Sequence, residues 1–295
     1  MNKKIIPVAL IIILSLVSYI NIFKNEFVWD DHLFILDNQD IRSFSNIPLF
    51  FTQDADGLYR PLRSLHYTFI YSIAGKNEFF YHFNSLFLHT IISILVFFII
   101  FEIINGKNIA LAAALIFAAH PIHTERAANM TAGFDLLGIL LMLFSFYLYI
   151  KYSKRGYNNK KYLIASLILL ILALFSSEEA ITLPLIIVLY EFCFNRERFN
   201  KKTAKRGIIK NCFPYFIAAA LFAVLRFFIL GIGPREEQYL AGNFFLTMLT
   251  ILKAYVYYIY LLIFPVNLTL YHDIRPVTSI LDPKALLSAF LLIAT

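Results

Sequence analysis

The chain has 295 residues, 60% of them hydrophobic and only 15% charged, with a formal net charge of +7. With a mean hydropathy of +0.70, this composition excludes a water-soluble globular protein and defines an integral membrane one. Apolar runs of about 20 residues recur, the length that crosses a bilayer as a helix, whereas a transmembrane barrel would show short alternating segments. The excess positive charge collects in short loops between those runs, as in the positive-inside pattern, so nucleic acid is excluded as a partner. The expected fold class is all-α: a polytopic membrane helical bundle, with 1–295 forming a single transmembrane module of seven to eight spans.

Lys3 and Lys4 precede the first run, Ile5 to Phe23, which resembles a secretory signal. It lacks an A-x-A-like cleavage site and is longer than a signal core, so it reads as an uncleaved first transmembrane helix. The two lysines hold the N-terminus inside, and the helix then delivers Asp30, Asp31 and His32 to the extracytoplasmic side. The following polar loop, Asp37 to Phe79, contains Pro61 to Ile73, where Leu62, Leu65, Phe69 and Ile73 share one helical face and Arg63, Tyr67 and Tyr71 another. Proline suits the first turn of a helix, and this segment reads as an interfacial helix lying on the membrane.

A second span runs from about Phe80 to Ile104, and the Asn105-Gly-Lys-Asn108 turn returns the chain through a third that ends at Ala119. His120-Pro-Ile-His-Thr-Glu-Arg126 therefore emerges on the same outer side as Asp30. A fourth span, Leu136 to Ile150, leads to the basic inner loop with Lys151, Lys154, Arg155, Lys160 and Lys161. Span five, Tyr162 to Phe175, exits to Ser176-Ser-Glu-Glu179, and span six returns to a loop from Arg196 to Lys210 that holds seven lysines and arginines. Cys193 and Cys212 flank this most basic loop, on the reducing side, and imply neither a disulfide nor a metal cluster. Span seven, Pro214 to Leu230, exits to Gly231-Ile-Gly-Pro-Arg-Glu-Glu237. Phe244 to Phe264 is long enough to span yet carries Lys253 near its middle, where a lone ammonium is costly, so it lies along the outer surface or re-enters. The chain stops within another apolar run, "ALLSAFLLIAT", as a fragment of a longer protein would.

Four groups of polar residues thus meet one membrane face: Asp30, Asp31 and His32; His120, His123 and Glu125; Glu178 and Glu179; and Arg226 or Lys253 near that boundary. Helical bundles build sites from such convergent loops and helix ends. A carboxylate pair suits either proton abstraction from a hydroxyl or retention of a divalent cation such as Mg or Mn, and nearby arginine or lysine suits a phosphate. Together they describe transfer from a lipid-linked phosphate donor. Other constellations have plainer readings. Adjacent acids in a loop are commonly just solvated; His82, Asn84 and His89 suit hydrogen bonding between helices. Pro121 breaks the helix that His120-x-x-His123 would need to hold zinc, and Ser177 lacks a nucleophile elbow. Asn129-Met-Thr131 and Asn267-Leu-Thr269 match the glycosylation acceptor pattern, which chance produces often.

Five segments in order, "FVWDDHLFI", "YRPLRSL", "YHFNSLFLH", "HPIHTE" and "LLIFPVNLTL", make the chain resemble the transmembrane and tetratricopeptide-repeat protein O-mannosyltransferases and their bacterial relatives, of the GT-C class of glycosyltransferases. The resemblance covers about Phe27 to Ile274. It implies a multi-spanning enzyme that moves a sugar, mannose in the named family, from a polyprenyl-phosphate carrier to a protein or glycan hydroxyl on the extracytoplasmic side. The setting would be a bacterial inner membrane or the endoplasmic reticulum. It assigns the catalytic base to Asp30 or Asp31, carries the histidine and glutamate motif to His120, His123 and Glu125, and carries the acidic end of span five to Glu178. A Gly-Arg-x-Asp-like run common in the family stands here as Gly133-Phe-Asp135, and Ser-Lys-Glu stands as Ser176-Ser177-Glu178. Two cations of the pattern are therefore missing, which shifts phosphate recognition to Arg60, Arg63, Arg226 or Lys253, or to a divalent ion. The repeats themselves are absent from these residues. Two rival classes remain: a non-catalytic scaffold that binds the lipid carrier, and a secondary transporter, which would place its charges near the midplane beside broken helices.

Overall fold

A computed structural model describes residues 5–195, 202–233, 239–269 and 272–294. The fold is 78% helical, with no β-strand among the described residues. Lys3, Lys4, Arg196, Arg198, Lys201 and the Arg235-Glu236-Glu237 run lie outside them. Among the described residues, five helices are long and apolar enough to cross a membrane: Ile5–Lys24, Glu78–Ile104, Met130–Lys154, Ile209–Ile229 and Phe244–Ile263. The chain divides into two compact units, Met1–Gly233 and Pro234–Thr295.

The first unit contains helices α1 (Ile5–Tyr19), α2 (Pro61–Ala74), α3 (Glu78–Ile104), α4 (Lys107–Ala119), α5 (Met130–Lys154), α6 (Lys160–Ser176), α7 (Leu183–Phe194) and α8 (Lys202–Val224). Their ends follow local chemistry. Pro61 occupies the first turn of α2, where its missing N–H costs nothing. Asn77, Asn129 and Asn159 cap α3, α5 and α6, each side-chain oxygen accepting a first-turn N–H. Asn105 closes α3 in the left-handed region, φ 57°, which makes the abrupt return into α4.

The α2 helix presents Phe69 and Ile73 outward while Arg63 and Tyr67 are buried against the protein. Its polar face is thus the one packed against the protein. The fourth span begins earlier than hydropathy alone indicates, at Met130 rather than Leu136. Asp135 breaks the apolar run in sequence but is neutralised by arginines in space, so the helix extends through it.

The main core lies among α5, α6, α7 and α8, around Tyr149, Ile150, Leu170, Leu174, Ile187 and Tyr215. A smaller one gathers Phe34, Ile35, Tyr67, Tyr81, Met130 and Phe134 where the first loop meets the helix ends. Outside, Phe83, Phe87, Ile116 and Leu185 are exposed, as lipid-facing positions should be. Helix contact in lipid depends on small residues and internal hydrogen bonds. Accordingly Ser145 and Ser166 donate to each other's carbonyls at 2.6 and 2.7 Å, and Tyr215 donates to Ser166 Oγ at 2.7 Å. Gly133 lets α5 approach α3: a Cβ there would lie 1.8 Å from Ser85 Oγ.

In the second unit, Asn243 caps α9 (Phe244–Ile263), and Asp282 accepts from Lys284 and Ala285 at the start of α10 (Pro283–Ala294). The intervening segment folds back along α9, with Val277 N donating to Thr250 Oγ1 at 2.9 Å.

Candidate functional site

The two adjacent aspartates separate into different environments. Trp29 adopts φ 51°, costly for a bulky side chain, and such strain persists only where the surroundings impose it. Here the imposing group is Asp31, fully buried. Its Oδ2 accepts from Val28 N at 3.0 Å, and its Oδ1 accepts from Thr131 N at 2.8 Å and Thr131 Oγ1 at 2.6 Å. The carboxylate therefore sits at the positive N-terminus of α5 and fastens the first loop to it. Asp30, one residue earlier, is exposed on the outside of that turn.

Thr131 links this turn to a cluster of charges. Its carbonyl accepts from Arg63 Nη2 and from Tyr67 Oη, both at 3.3 Å. Arg63 Nε lies 3.3 Å from Asp135 Oδ1, which also accepts from Arg60 Nη1 at 2.7 Å. Arg60 grips Glu178 with two donors, at 2.7 and 3.0 Å. Arg126 spans Asp135 Oδ2 at 2.8 Å and Glu179 Oε1 at 2.9 Å. Arg226, buried, reaches Gly57 O at 3.5 Å and acts electrostatically on Glu178. Four guanidiniums thus face three carboxylates, leaving one positive charge in excess.

The electrostatics follow from this crowding. Burial works against the charge of Arg60, but its carboxylate partners Glu178 and Asp135 outweigh it and raise its pKa above the ordinary value. Burial likewise pushes Glu178 upward, yet the Arg60 guanidinium prevails and holds it below the usual carboxylate range. Arg60 and Glu178 thus form an ionised pair at neutral pH, and the planar donors of the cluster suit an anionic phosphate. It does not suit a divalent metal. Asp135, Glu178 and Glu179 face arginines, both Asp31 oxygens are occupied, and no group of three His, Cys, Asp or Glu lies together among the described residues.

The site therefore unites Asp31, Arg60, Arg63, Asp135, Glu178 and Arg226, while other expected members stand apart from the charge cluster. His32 and Glu125 are exposed. His120 carries structural bonds: its carbonyl accepts from Tyr19 Oη at 3.1 Å and its Nδ1 from Ile122 N at 3.2 Å. His123 packs 4.2 Å from the Phe117 ring, and burial, followed by His89 and His120, lowers its pKa to about 4, so it is neutral at pH 7. Lys253 belongs to the second unit and donates to Arg275 O at 2.9 Å. Arg126 and Glu179 complete the cluster. Arg126 supplies a cation to Asp135 that seemed missing, from nine residues upstream instead of from within the Gly133-Phe-Asp135 run. Its signal was its place on the outer motif, immediately after Glu125.

Helices and cluster together define a polytopic α-helical membrane protein with an arginine-built site at one end of its bundle. Residues 61–228 match the family described as dolichyl-phosphate-mannose-protein mannosyltransferase. That match covers more than half of the chain, and the chain belongs to this family. It is 24% identical over 301 residues to protein O-mannosyl-transferase F38B6.6 of Caenorhabditis elegans, covering 94% of this chain and 41% of that protein. Identity reaches 31% with protein O-mannosyl-transferase Tmtc1 of Drosophila melanogaster, over 57% of this chain and 21% of the relative. It is 33% with protein O-mannosyl-transferase TMTC2 of Homo sapiens, over 50% and 19% respectively. The chain thus spans less than half the length of these curated relatives. No solved structure matches it.

Proposed function

We propose that the chain is the membrane module of a mannosyltransferase that moves a sugar from a polyprenyl-phosphate carrier to a protein hydroxyl on the extracytoplasmic side. The observation that carries this reading is the juxtaposition of a strained, carboxylate-presenting turn with a net-positive arginine cluster, one threonine apart. Asp30, exposed and adjacent to the Asp31 clamp, takes the proton of the acceptor hydroxyl as its oxygen attacks the anomeric carbon. The bond from that carbon to the phosphate oxygen breaks, the electron pair leaves with the phosphate, and configuration inverts. Arg63, Arg126 and Arg226 meet the charge that develops on the departing polyprenyl phosphate, an effect worth roughly 3 to 4 kcal/mol per well-placed donor. Asp31 acts through the loop it holds. The lipid part of the donor has a matching surface: a cavity of about 400 Å³, lined by Phe69, Ile73, Phe83, Phe87 and Leu137, opens between α2 and α3, with His66, one turn from Arg63, on its wall.

The test replaces Asp30 and Asp31 separately by asparagine and measures mannose transfer from a synthetic polyprenyl-phosphate donor to a peptide. Asp30→Asn should lower transfer about 10² to 10⁴-fold without changing thermal stability, since the side chain is exposed. Asp31→Asn should lower both, because asparagine has one accepting oxygen and its NH2 would face a donor where the second carboxylate oxygen now accepts. Full transfer by Asp30→Asn refutes the assignment, and carrier binding by the unaltered protein without turnover replaces the enzyme by a carrier-binding scaffold.

A further inference from the structure

The turn that carries the two aspartates also displays the single tryptophan of the chain. Asp31 N donates to Val28 O at 3.0 Å, closing a β-turn whose two corner residues are Trp29 and Asp30. A first corner at φ 51° is a place for glycine or asparagine, and an indole there is strained. No contact within the protein offsets that strain. The Trp29 side chain is 67% exposed, and among the described residues its indole stacks on no ring and makes no hydrogen bond. Val28 and Leu33, before and after it in sequence, are exposed as well, whereas Phe34 is buried and Phe27 packs against the core. The segment thus divides its apolar side chains: one set anchors the loop, and the other is left on its outer surface around Asp30. Asp31 is the buried member of the turn, joined to Thr131 and through it to Arg63.

Which substrate meets this surface follows from the direction of the displacement, so the inference rests on the sugar-transfer reading. When a displacement inverts the anomeric carbon, the attacking oxygen and the departing phosphate lie on opposite sides of it. The arginines that suit the phosphate join this turn through its buried residue and Thr131. The acceptor therefore comes from the exposed side, where Trp29 and Asp30 stand on adjacent Cα atoms about 3.8 Å apart. With the acceptor hydroxyl at Asp30, the neighbouring side chain of the acceptor peptide meets the indole. A large, rigid ring loses little freedom on binding and gains by covering apolar surface, which is why tryptophan anchors so many protein contacts. We infer that Trp29, with Val28 and Leu33, forms the acceptor-docking surface and selects a serine or threonine that has an apolar residue beside it. Trp29 takes no part in proton transfer; it holds the peptide so that the hydroxyl reaches Asp30. The strain at Trp29 is then part of the site, because it keeps the ring on the corner next to the base.

Because Trp29 is the sole tryptophan, the intrinsic fluorescence of the full chain, purified in detergent, reports on this one position. The probes are two short peptides with a central threonine, flanked by leucine in one and by serine in the other. The leucine-flanked peptide should shift the emission saturably to shorter wavelength as the indole leaves water, and the serine-flanked peptide should bind about tenfold more weakly. In transfer assays, Trp29→Ala should raise KM for the leucine-flanked peptide about tenfold, to the value for the serine-flanked one, with kcat retained. Trp29→Phe should restore most of that loss, and neither variant should lower the melting temperature, since the indole has no partner in the fold. Equal binding of the two peptides, a loss of kcat in place of KM, or a raised KM for the lipid-linked donor overturns the docking surface. So does emission that is quenched by brominated lipid in nanodiscs and indifferent to peptide, which would make Trp29 a membrane-interface anchor. A peptide-dependent shift in a protein without transfer keeps the docking surface and removes the sugar-transfer reading, whereas transfer without peptide discrimination does the reverse.

Discussion

Replacing Asp135 by asparagine removes the charge at the centre of the arginine cluster. The carboxylate is met by Arg60 at 2.7 Å, Arg126 at 2.8 Å and Arg63 at 3.3 Å, and the side chains of Asp135, Arg60 and Arg63 are 10%, 12% and 5% exposed. Removing one partner of a buried pair costs about 3 to 5 kcal/mol, because the other charge stays desolvated without compensation. Arg60 keeps both of its bonds to Glu178 and Arg126 keeps Glu179, so the loss falls on Arg63, whose only carboxylate is Asp135. Arg63 retains the faces of Phe34 and Tyr67, 5.0 and 5.4 Å from its guanidinium carbon. The lower end of the range, about 3 kcal/mol, is therefore expected. At roughly 2 to 4 °C per kcal/mol, the melting temperature should fall by about 6 to 12 °C. Cys212 is buried and reports unfolding through a thiol-reactive dye once the exposed Cys193 is replaced by serine. A companion Arg126→Gln variant, whose side chain is 35% exposed, should lose only about 1 kcal/mol, and the double variant less than the sum. A melting temperature for Asp135→Asn within about 1 °C of the parent refutes the reasoning that this carboxylate compensates Arg63.

Two further outcomes follow from the same geometry. The folded pKa of Glu178 is depressed, so the stability it contributes is present above its ordinary value of 4.5 and is lost as pH falls from there through the depressed folded value. Glu178→Gln should melt earlier at pH 7 and show a shallower acid decline than the parent, whereas parallel declines count against the Arg60 pairing. Gly133→Ala places a methyl 1.8 Å from Ser85 Oγ and 2.6 Å from its Cβ, an overpacking that should cost about 1 to 3 kcal/mol in thermal melting. Ser85→Gly in the same chain should restore part of that loss. No rescue would show that Gly133 serves something other than the approach of α5 to α3.

Much of the bundle was legible because membrane insertion leaves one-dimensional marks. Runs of apolar residues locate α1, α3 and α5, and Asn105 and Asn129 mark ends by their own side chains and conformations. The amphipathic α2 was legible from the spacing of Phe69 and Ile73 against Arg63 and Tyr67. Less of the cluster could be read. Asp135 was reached through resemblance, and the arginine expected inside its own helix turn comes instead from Arg126, across the corner at Asn129. No rule of helical spacing joins residues nine apart through a bend. The two aspartates illustrate the same limit: identical and adjacent in sequence, they are told apart largely by Thr131, 100 residues away from Asp31.

By itself the sequence determined what depends on the solvent: helices, because lipid leaves no other way to satisfy the backbone of an apolar run, and the grouping of acids and basic loops, because charge resists crossing a bilayer. The tertiary structure alone decided which charges meet. Arg60, Arg63, Arg126 and Arg226 come from separate segments, and only the packing of α2, α5 and the turns before α7 and after α8 gathers them around Asp135 and Glu178. A Coulomb interaction acts through distance in space, and sequence separation carries no record of that distance.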